Sequence, residues 1–252
     1  MSIPRFLVPF LPNQGNVELP ADEAHHASRV LRCSQGDTIV LFDGTGNQAI
    51  ATIHSLDKRS VTATIGSYLF APRDHSGRLH FAIAMPKGDR QRNTIEKLVE
   101  LGVDSLSPLE TARSVAVVNE ANSERLVRYV EEACKQCGRN RLMTVHPTLR
   151  ISDIKDYASS IAPKDTAIPI QIWILHPEMD GQSSYKIHAA NSLADPNQSL
   201  LFLIGPEGGF TDAEVIEAVK QGARILTLGE RIQRVETAAS TAAVLGHCWL
   251  AE

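Results

Sequence analysis

Ser199-Leu200-Leu201-Phe202-Leu203-Ile204 runs directly into Gly205-Pro206-Glu207-Gly208-Gly209-Phe210, and that into Thr211-Asp212-Ala213-Glu214. An unbroken apolar run of this length fits a strand buried on both faces, as in parallel sheets, better than a strand with one face in water. Thr211 with Glu214 three residues on is a capping box, so a helix starts there. Buried strand, sharp turn and capped helix form half of a βαβ crossover, and the surrounding sequence keeps that rhythm. Leu79 to Met85 reads as a strand, Arg92 to Leu101 as a helix ended by Gly102, and Val103 to Leu109 as the next strand. Ser123 is placed to cap a helix from Glu124 to Gln136 that Gly138 stops. Strands at Ile170 to Leu175 and Ala223 to Leu228 follow, and a last helix starts near Glu236. The pattern predicts an α/β domain, a parallel sheet with helices on both faces.

The first 70 or so residues have a different grammar. Thr38 to Phe42 and Gln48 to Ile53 flank Asp43-Gly44-Thr45-Gly46-Asn47, which is a hairpin signal. Val61 to Ile65 supplies another strand, and one helix is expected from Ala21 to Leu31. A small β domain over residues 1–72 therefore precedes the α/β domain over 73–252, with the polar stretch Ala71 to Gly77 as the boundary.

The 252 residues carry 25 basic and 29 acidic side chains, a net charge of −4. Any nucleic-acid surface must then come from local clusters of Lys and Arg. No apolar run reaches the ~18 residues of a membrane span. The Pro-broken opening Met1 to Phe10 makes a poor signal peptide, so the chain is expected to stay in the cytoplasm, away from membranes. Cys33, Cys134, Cys137 and Cys248 are too scattered for a disulfide framework. Cys134 and Cys137 have CxxC spacing but no second ligand pair, so no metal is expected.

Ligands collect at the carboxyl ends of parallel strands, and two such ends are unusual. Gly205 to Gly209 packs three glycines and a proline into one turn, where backbone approaches a ligand without an intervening Cβ. It has neither the Gly-Lys-Ser/Thr of a phosphate loop nor the GxGxxG order of a dinucleotide fold. The second end is Leu226-Thr227-Leu228-Gly229-Glu230-Arg231-Ile232-Gln233-Arg234-Val235-Glu236-Thr237-Ala238, a charged stretch entering a helix of small residues.

Together these stretches resemble the cofactor loops of the SPOUT-class RNA methyltransferases. The nearest resemblance is to the bacterial family that methylates N3 of a uridine in 16S ribosomal RNA, at position 1498. Further motifs agree: Ala27-Ser28-Arg29-Val30-Leu31-Arg32, Lys87-Gly88-Asp89-Arg90 with Glu96 to Val103, and Glu132-Ala133-Cys134-Lys135-Gln136-Cys137-Gly138-Arg139. The chain departs at Gln233, where that family usually has Leu, and at Leu98-Val99, where Ala-Thr is commoner.

The resemblance implies a PUA-like β-barrel domain for RNA and a SPOUT domain with a C-terminal trefoil knot. It also implies a homodimer, S-adenosylmethionine as cofactor, and 16S rRNA or the small ribosomal subunit as partner. Carried over by position, Leu175, Gly205, Pro206, Glu207, Gly208, Leu226, Leu228, Gly229, Ile232 and Thr237 are expected around the cofactor. Arg234 and Arg231 are the candidate donors to charge developing on uracil oxygens. Glu207 is a candidate proton acceptor, with Glu236 also near in sequence. Arg5, His25, Arg29, Arg32, Lys87, Arg90 and Arg139 are candidate RNA contacts. Aromatics make up only 5% of the chain, which favours recognition of RNA shape and a flipped-out base over a stacking platform. A non-catalytic RNA-binding or ribosome-assembly factor is the alternative.

Overall fold

The computed structural model describes residues 3–57, 60–71, 78–115, 120–162, 170–177, 184–186 and 198–250. The expected boundary stretch, from Pro72 to Gly77, lies outside them. The chain divides into two compact units, Met1–Asp74 with Glu131–Leu142, and His75–Val130 with Met143–Glu252.

The first unit holds β1 (Arg5–Leu7), β2 (Asn16–Glu18), α1 (Ala21–His25), β3 (Thr38–Phe42), β4 (Asn47–Leu56) and β5 (Val61–Phe70). These strands form one sheet in the order β1-β3-β4-β5-β2, a half-barrel whose path ends at β1 and β2. The predicted hairpin is present: β3 and β4 pair antiparallel, with Phe42 opposite Gln48. Its turn is tied by the Asp43 carboxylate, which accepts from Thr45 N and Oγ1 at 2.8 Å and from Asn47 Nδ2 at 2.7 Å. Burial pushes that carboxyl up, but the bonds from Asn47 and Thr45 outweigh it and hold the group below its ordinary value. The helix expected from Ala21 to Leu31 changes winding halfway. From His26 to Val30 it is a π-helix, with Leu31 N donating to His26 O at 3.0 Å, five residues back. The wider turn keeps Ala24 and Ala27 in the core while Arg29 and Arg32 stay exposed.

The second unit contains, in chain order, β6 (Arg78–Ile83), α2 (Asp89–Glu100) and β7 (Ser105–Glu110). α3 (Glu120–Cys137) starts in this unit and ends in the first. After it come β8 (Thr144–Val145), β9 (Leu149–Arg150), α4 (Ile154–Ile161), β10 (Gln171–Leu175), β11 (Ser184–Lys186) and β12 (Ser199–Ile204). α5 (Asp212–Lys220), β13 (Arg224–Thr227) and α6 (Val235–Leu250) complete it. The sheet order is β11-β13-β10-β12-β6-β7-β8, with β9 also on β7, and every pairing in it is parallel.

Alternation along each strand divides the core between two faces. Ile172 and Ile174 of β10 and Leu201 and Leu203 of β12 pack with Ile154 of α4 and Val215 and Ala218 of α5. On the other face, the ring of Trp249 in α6 lies 5.3 Å from Trp173 and 5.9 Å from Phe202. α6 approaches the sheet so closely that a Cβ on Gly246 would fall 2.5 Å from Leu79 Cδ2. The small residues Ala239, Ala242 and Ala243 are buried on the same helix.

α3 begins at Glu120, a turn before the expected cap, so Ser123 sits inside the helix. Glu131–Leu142 falls inside the α/β domain expected over 73–252, yet it belongs to the first compact unit. Lys135 Nζ pairs with Glu23 Oε1 at 2.7 Å. Buried Asn140 donates to Gln48 Oε1 at 3.0 Å and to Ala71 O at 2.6 Å, and accepts from Arg5. The chain passes from β12 through α5 to β13, beyond β10, and returns as α6 on the opposite face. The expected trefoil knot falls partly on 178–183 and 187–197, which lie outside the described residues. Among the described residues, no helix is long and apolar enough to cross a membrane.

Candidate functional site

The carboxyl ends of β10, β12 and β13 open into a cavity of about 400 Å³. Leu175 ends the first strand, Gly205-Pro206-Glu207-Gly208 leave the second, and Leu226, Leu228 and Gly229 leave the third; all of them line it. Arg231 and Ile232 also line the wall. Strand adjacency therefore brings together residues more than 50 positions apart in sequence.

The loop after β12 is a tight turn closed by Gly209 N donating to Pro206 O at 2.8 Å. A Cβ on Gly205 would meet the Phe210 ring at 3.0 Å, and one on Gly208 would meet Arg113 Cδ at 3.3 Å. The Phe210 ring and the Arg113 stem already fill the space that side chains at 205 and 208 would take. Gly229 has φ +118°, a conformation L-residues with a Cβ rarely adopt, and it turns the chain out of β13.

The predicted capping box holds the next helix. Glu214 N donates to Thr211 Oγ1 at 3.3 Å, and Glu214 Oε2 accepts from Thr211 N at 2.8 Å. The other oxygen, Oε1, accepts from Ala112 N at 2.7 Å, so one carboxylate joins the loop after β7 to the loop after β12. Burial pushes this carboxyl up, but the Thr211 and Ala112 bonds, with the Arg113 charge, hold it below its ordinary value. Arg113 completes the clamp: its Nη1 donates to Gly208 O at 2.7 Å. On the opposite wall, Thr227 Oγ1 donates to His176 O at 3.1 Å, fixing β13 to the end of β10.

Two predicted residues stand apart from the cavity wall. Arg234 and Thr237 are not among its lining residues. The carbonyl of Arg234 accepts from Ala238 N at 2.9 Å and so opens α6, while its side chain is exposed. Glu207 Oε1 lies 2.7 Å from Arg90 Nη1, which joins a candidate catalytic group to a candidate RNA contact. Ile232 is 92% exposed at the lip, an unusual position for a large apolar side chain.

The remaining basic residues separate by burial. His25, Arg29, Arg32 and Lys87 are exposed. Arg139 is only 4% exposed, and Arg5 lies 5.0 Å over the Phe42 ring while donating to Asn140. Arg5 is half-buried and Arg139 buried, so neither presents the exposed cation expected of it on the surface of the first unit. Sequence reasoning missed Arg113, His176 and Phe210 on the cavity wall. His176 directly follows the carboxyl end of β10 and Arg113 lies three residues past that of β7, and those positions were the available signal.

Known proteins match this arrangement. Residues 73–245 match the family model described as RNA methyltransferase domain, and residues 19–66 match RNA methyltransferase PUA domain. Ribosomal RNA small subunit methyltransferase E of Bacillus subtilis is 29% identical over 229 residues, covering 87% of this chain and 85% of its own. The Neisseria gonorrhoeae protein of that name, solved bound to S-adenosyl methionine, superposes with a TM-score of 0.82 at 29% identity, covering 98% of this chain and 97% of its own. A methyltransferase from Legionella pneumophila, solved with bound SAM, gives 0.82 at 27% identity, with 98% of each chain covered. The family-model matches cover the α/β part and much of the β-rich part, and this chain belongs to the RNA methyltransferase family.

Proposed function

We propose that this protein transfers a methyl group from S-adenosylmethionine to N3 of a uridine in 16S ribosomal RNA, position 1498 as the family resemblance implies. The observation that carries the reading is the cavity at the ends of β10, β12 and β13, walled by the backbone of Gly205 to Gly208 and Gly229. Its volume of about 400 Å³ is in the range of small-molecule sites. A Cβ at Gly205 or Gly208 would crowd Phe210 or Arg113, so glycine at these positions lets the loop pack closely against two other residues of the wall. Apolar Leu175, Leu226 and Leu228 suit the adenine ring, and the turn backbone suits its polar edge.

When bound, S-adenosylmethionine supplies an electrophilic methyl group on a sulfonium, and that reactivity is intrinsic to it. The chain's own residues position the uracil and deal with its N3 proton. Arg231 on the wall, with Arg234 three residues on, supplies donors to the uracil carbonyl oxygens as negative charge spreads onto them. Glu207 keeps Oε1 on Arg90 and offers Oε2 as the proton acceptor. The exposed His25, Arg29, Arg32 and Lys87 contact RNA phosphates, and each such contact makes affinity fall as salt rises.

The same reading gives a PUA-like domain over 1–72, a methyltransferase domain over 73–252, a homodimer and a cytoplasmic location. Ile232, apolar and almost fully exposed, is suited to cover by a second chain or by bound ligand. The test is mass mapping of methylated nucleotides in 16S rRNA from cells with and without this protein. Loss of one N3-methyluridine supports the reading, and an unchanged map rejects it. Equilibrium binding of S-adenosylmethionine separates the enzyme from a non-catalytic assembly factor, which has no need of the donor.

A further inference from the structure

Arg113 is a fixed guanidinium on the cavity wall. Nη1 donates to Gly208 O at 2.7 Å and lies 3.4 Å from Phe210 O. The alkyl stem rests beside Gly208, whose notional Cβ would come within 3.3 Å of Cδ. The backbone carrying it is held as well, by Ala112 N on Glu214 and by Thr111 N on Ser114 Oγ at 3.0 Å. Among the described residues, Nη2 and Nε of Arg113 make no hydrogen bond, so one edge of the planar fork is committed to the loop and the other is open.

The charges around it narrow what that open edge can take. Of the guanidinium groups on the wall, the other is Arg231; both residues are exposed, but Arg231 has no hydrogen bond or ion pair among the described residues. Of the wall carboxylates, Glu207 is taken by Arg90, and Asp212 sits in the first turn of α5. The placed cation on the wall is therefore Arg113, and a guanidinium fixed before the ligand arrives loses little freedom in binding a carboxylate.

We propose that Arg113 is a cofactor-binding residue that recognises the carboxylate of the methyl donor's amino-acid tail. This rests on the reading of the cavity as a S-adenosylmethionine site, and adds to it the residue that tells the amino-acid tail from a plain alkylamine. The same side chain couples the two jobs, since it also holds the carbonyl of Gly208.

The test compares equilibrium binding of S-adenosylmethionine with that of decarboxylated S-adenosylmethionine, which keeps the sulfonium and amine and lacks the carboxylate. The full-length wild type is expected to prefer the carboxylated donor by roughly 10- to 100-fold, the range of a charged hydrogen bond. In Arg113→Met that preference should fall close to one, whatever the loss of absolute affinity. Arg113→Lys should keep a several-fold preference, and it decides by the same ratio if Arg113→Met binds neither donor. A wild-type preference carried undiminished into Arg113→Met overturns the proposal. So does a wild-type ratio of one, which leaves the cavity a donor site but removes Arg113's role in it. Loss of RNA binding with the ratio unchanged would make Arg113 a phosphate contact and also overturns it. A wild type that binds neither donor rejects the cofactor reading itself, and this contact with it.

Discussion

Arg90 Nη1 and Glu207 Oε1 are 2.7 Å apart, across the mouth of the cavity from α2 to the loop after β12. Their side chains remain 41% and 33% exposed, so water screens the pair and its worth to folding is about 0–1 kcal/mol. Glu207→Gln should therefore leave denaturant unfolding within about 1 kcal/mol of wild type. If Oε2 accepts the uracil proton, the same variant should slow single-turnover methyl transfer by roughly 100-fold, the lower range for a lost acid–base group. A rate within a few-fold of wild type would reduce Glu207 to a surface ion-pair partner.

Gly208→Val puts branched carbon into a space where even a Cβ stands 3.3 Å from Arg113 Cδ. The Arg113 stem must move, and its bond to Gly208 O is strained with it. Donor affinity should fall by about 10-fold or more, the scale of one lost charged hydrogen bond. Because residue 208 is exposed, the melting temperature should change little. Isothermal titration beside a melting curve checks both halves, and unchanged affinity would make the loop a simple turn.

Gly246→Val tests the opposite face of the sheet. The Cβ alone would meet Leu79 at 2.5 Å and Phe202 at 3.2 Å, in a core already filled by two tryptophans. Overpacking of this kind costs about 1–3 kcal/mol. Urea unfolding should show the loss, and a variant as stable as wild type would mean that α6 is free to shift outward.

His80 provides a pH test. Its imidazole is 4% exposed on β6, with Nδ1 2.7 Å from Ser105 Oγ. Burial, aided by the charges of Arg78 and His146, lowers its pKa from 6.5 to about 3. The unfolded chain therefore takes up a proton below 6.5 that the folded chain refuses until about 3. The stability tied to neutral His80 is complete above 6.5 and drains away as pH falls across that window. His80→Asn should be less stable near neutrality and should show a flatter decline from pH 6.5 to 4 in urea titrations. Parallel declines would assign the acid sensitivity elsewhere.

Glu214 gives an acid-side counterpart. Its carboxyl is held below the ordinary 4.5, so its contribution is present above that value and lost as pH falls through the lower folded-state value. Glu214→Gln removes the charge that accepts from Ala112 N and Thr211 N, for a cost of about 1–2 kcal/mol near neutrality. The gap between variant and wild type should close as the solution is acidified below pH 4. A gap that stays constant would mean the amide serves the cap equally well.

The strands easiest to read were those with chemistry unlike their surroundings. Ser199 to Ile204 is buried at every position and was legible as such, and Thr211 with Glu214 announced the helix after it. The hairpin of β3 and β4 was legible as two apolar runs around a Gly-rich turn, and the structure adds the Asp43 and Asn47 bond that ties that turn. β1, β2, β8 and β9 span only two or three residues each, too short for a period to register. The π-winding after His25 follows from which alanines must reach the core, a demand local sequence does not carry. At the cavity, the glycines and Arg231 were readable as loop chemistry at strand ends. Arg113 was not, because its place depends on β7 lying two strands from β12, and Arg139 misled because an exposed cation and a buried one are spelled alike.

Asn140 has a consequence for how the protein is made. Its amide joins Gln48, Ala71 and Arg5, and its carbonyl accepts from Gly46 N at 3.0 Å. Polypeptide leaves the ribosome from its amino end, so the opening 70 residues emerge long before the asparagine that ties their strands together. That half-barrel waits, with these polar groups in water, until roughly twice its own length has been synthesised. Expressed alone, a fragment ending near residue 72 would leave those groups to water, without the partners that Asn140 supplies.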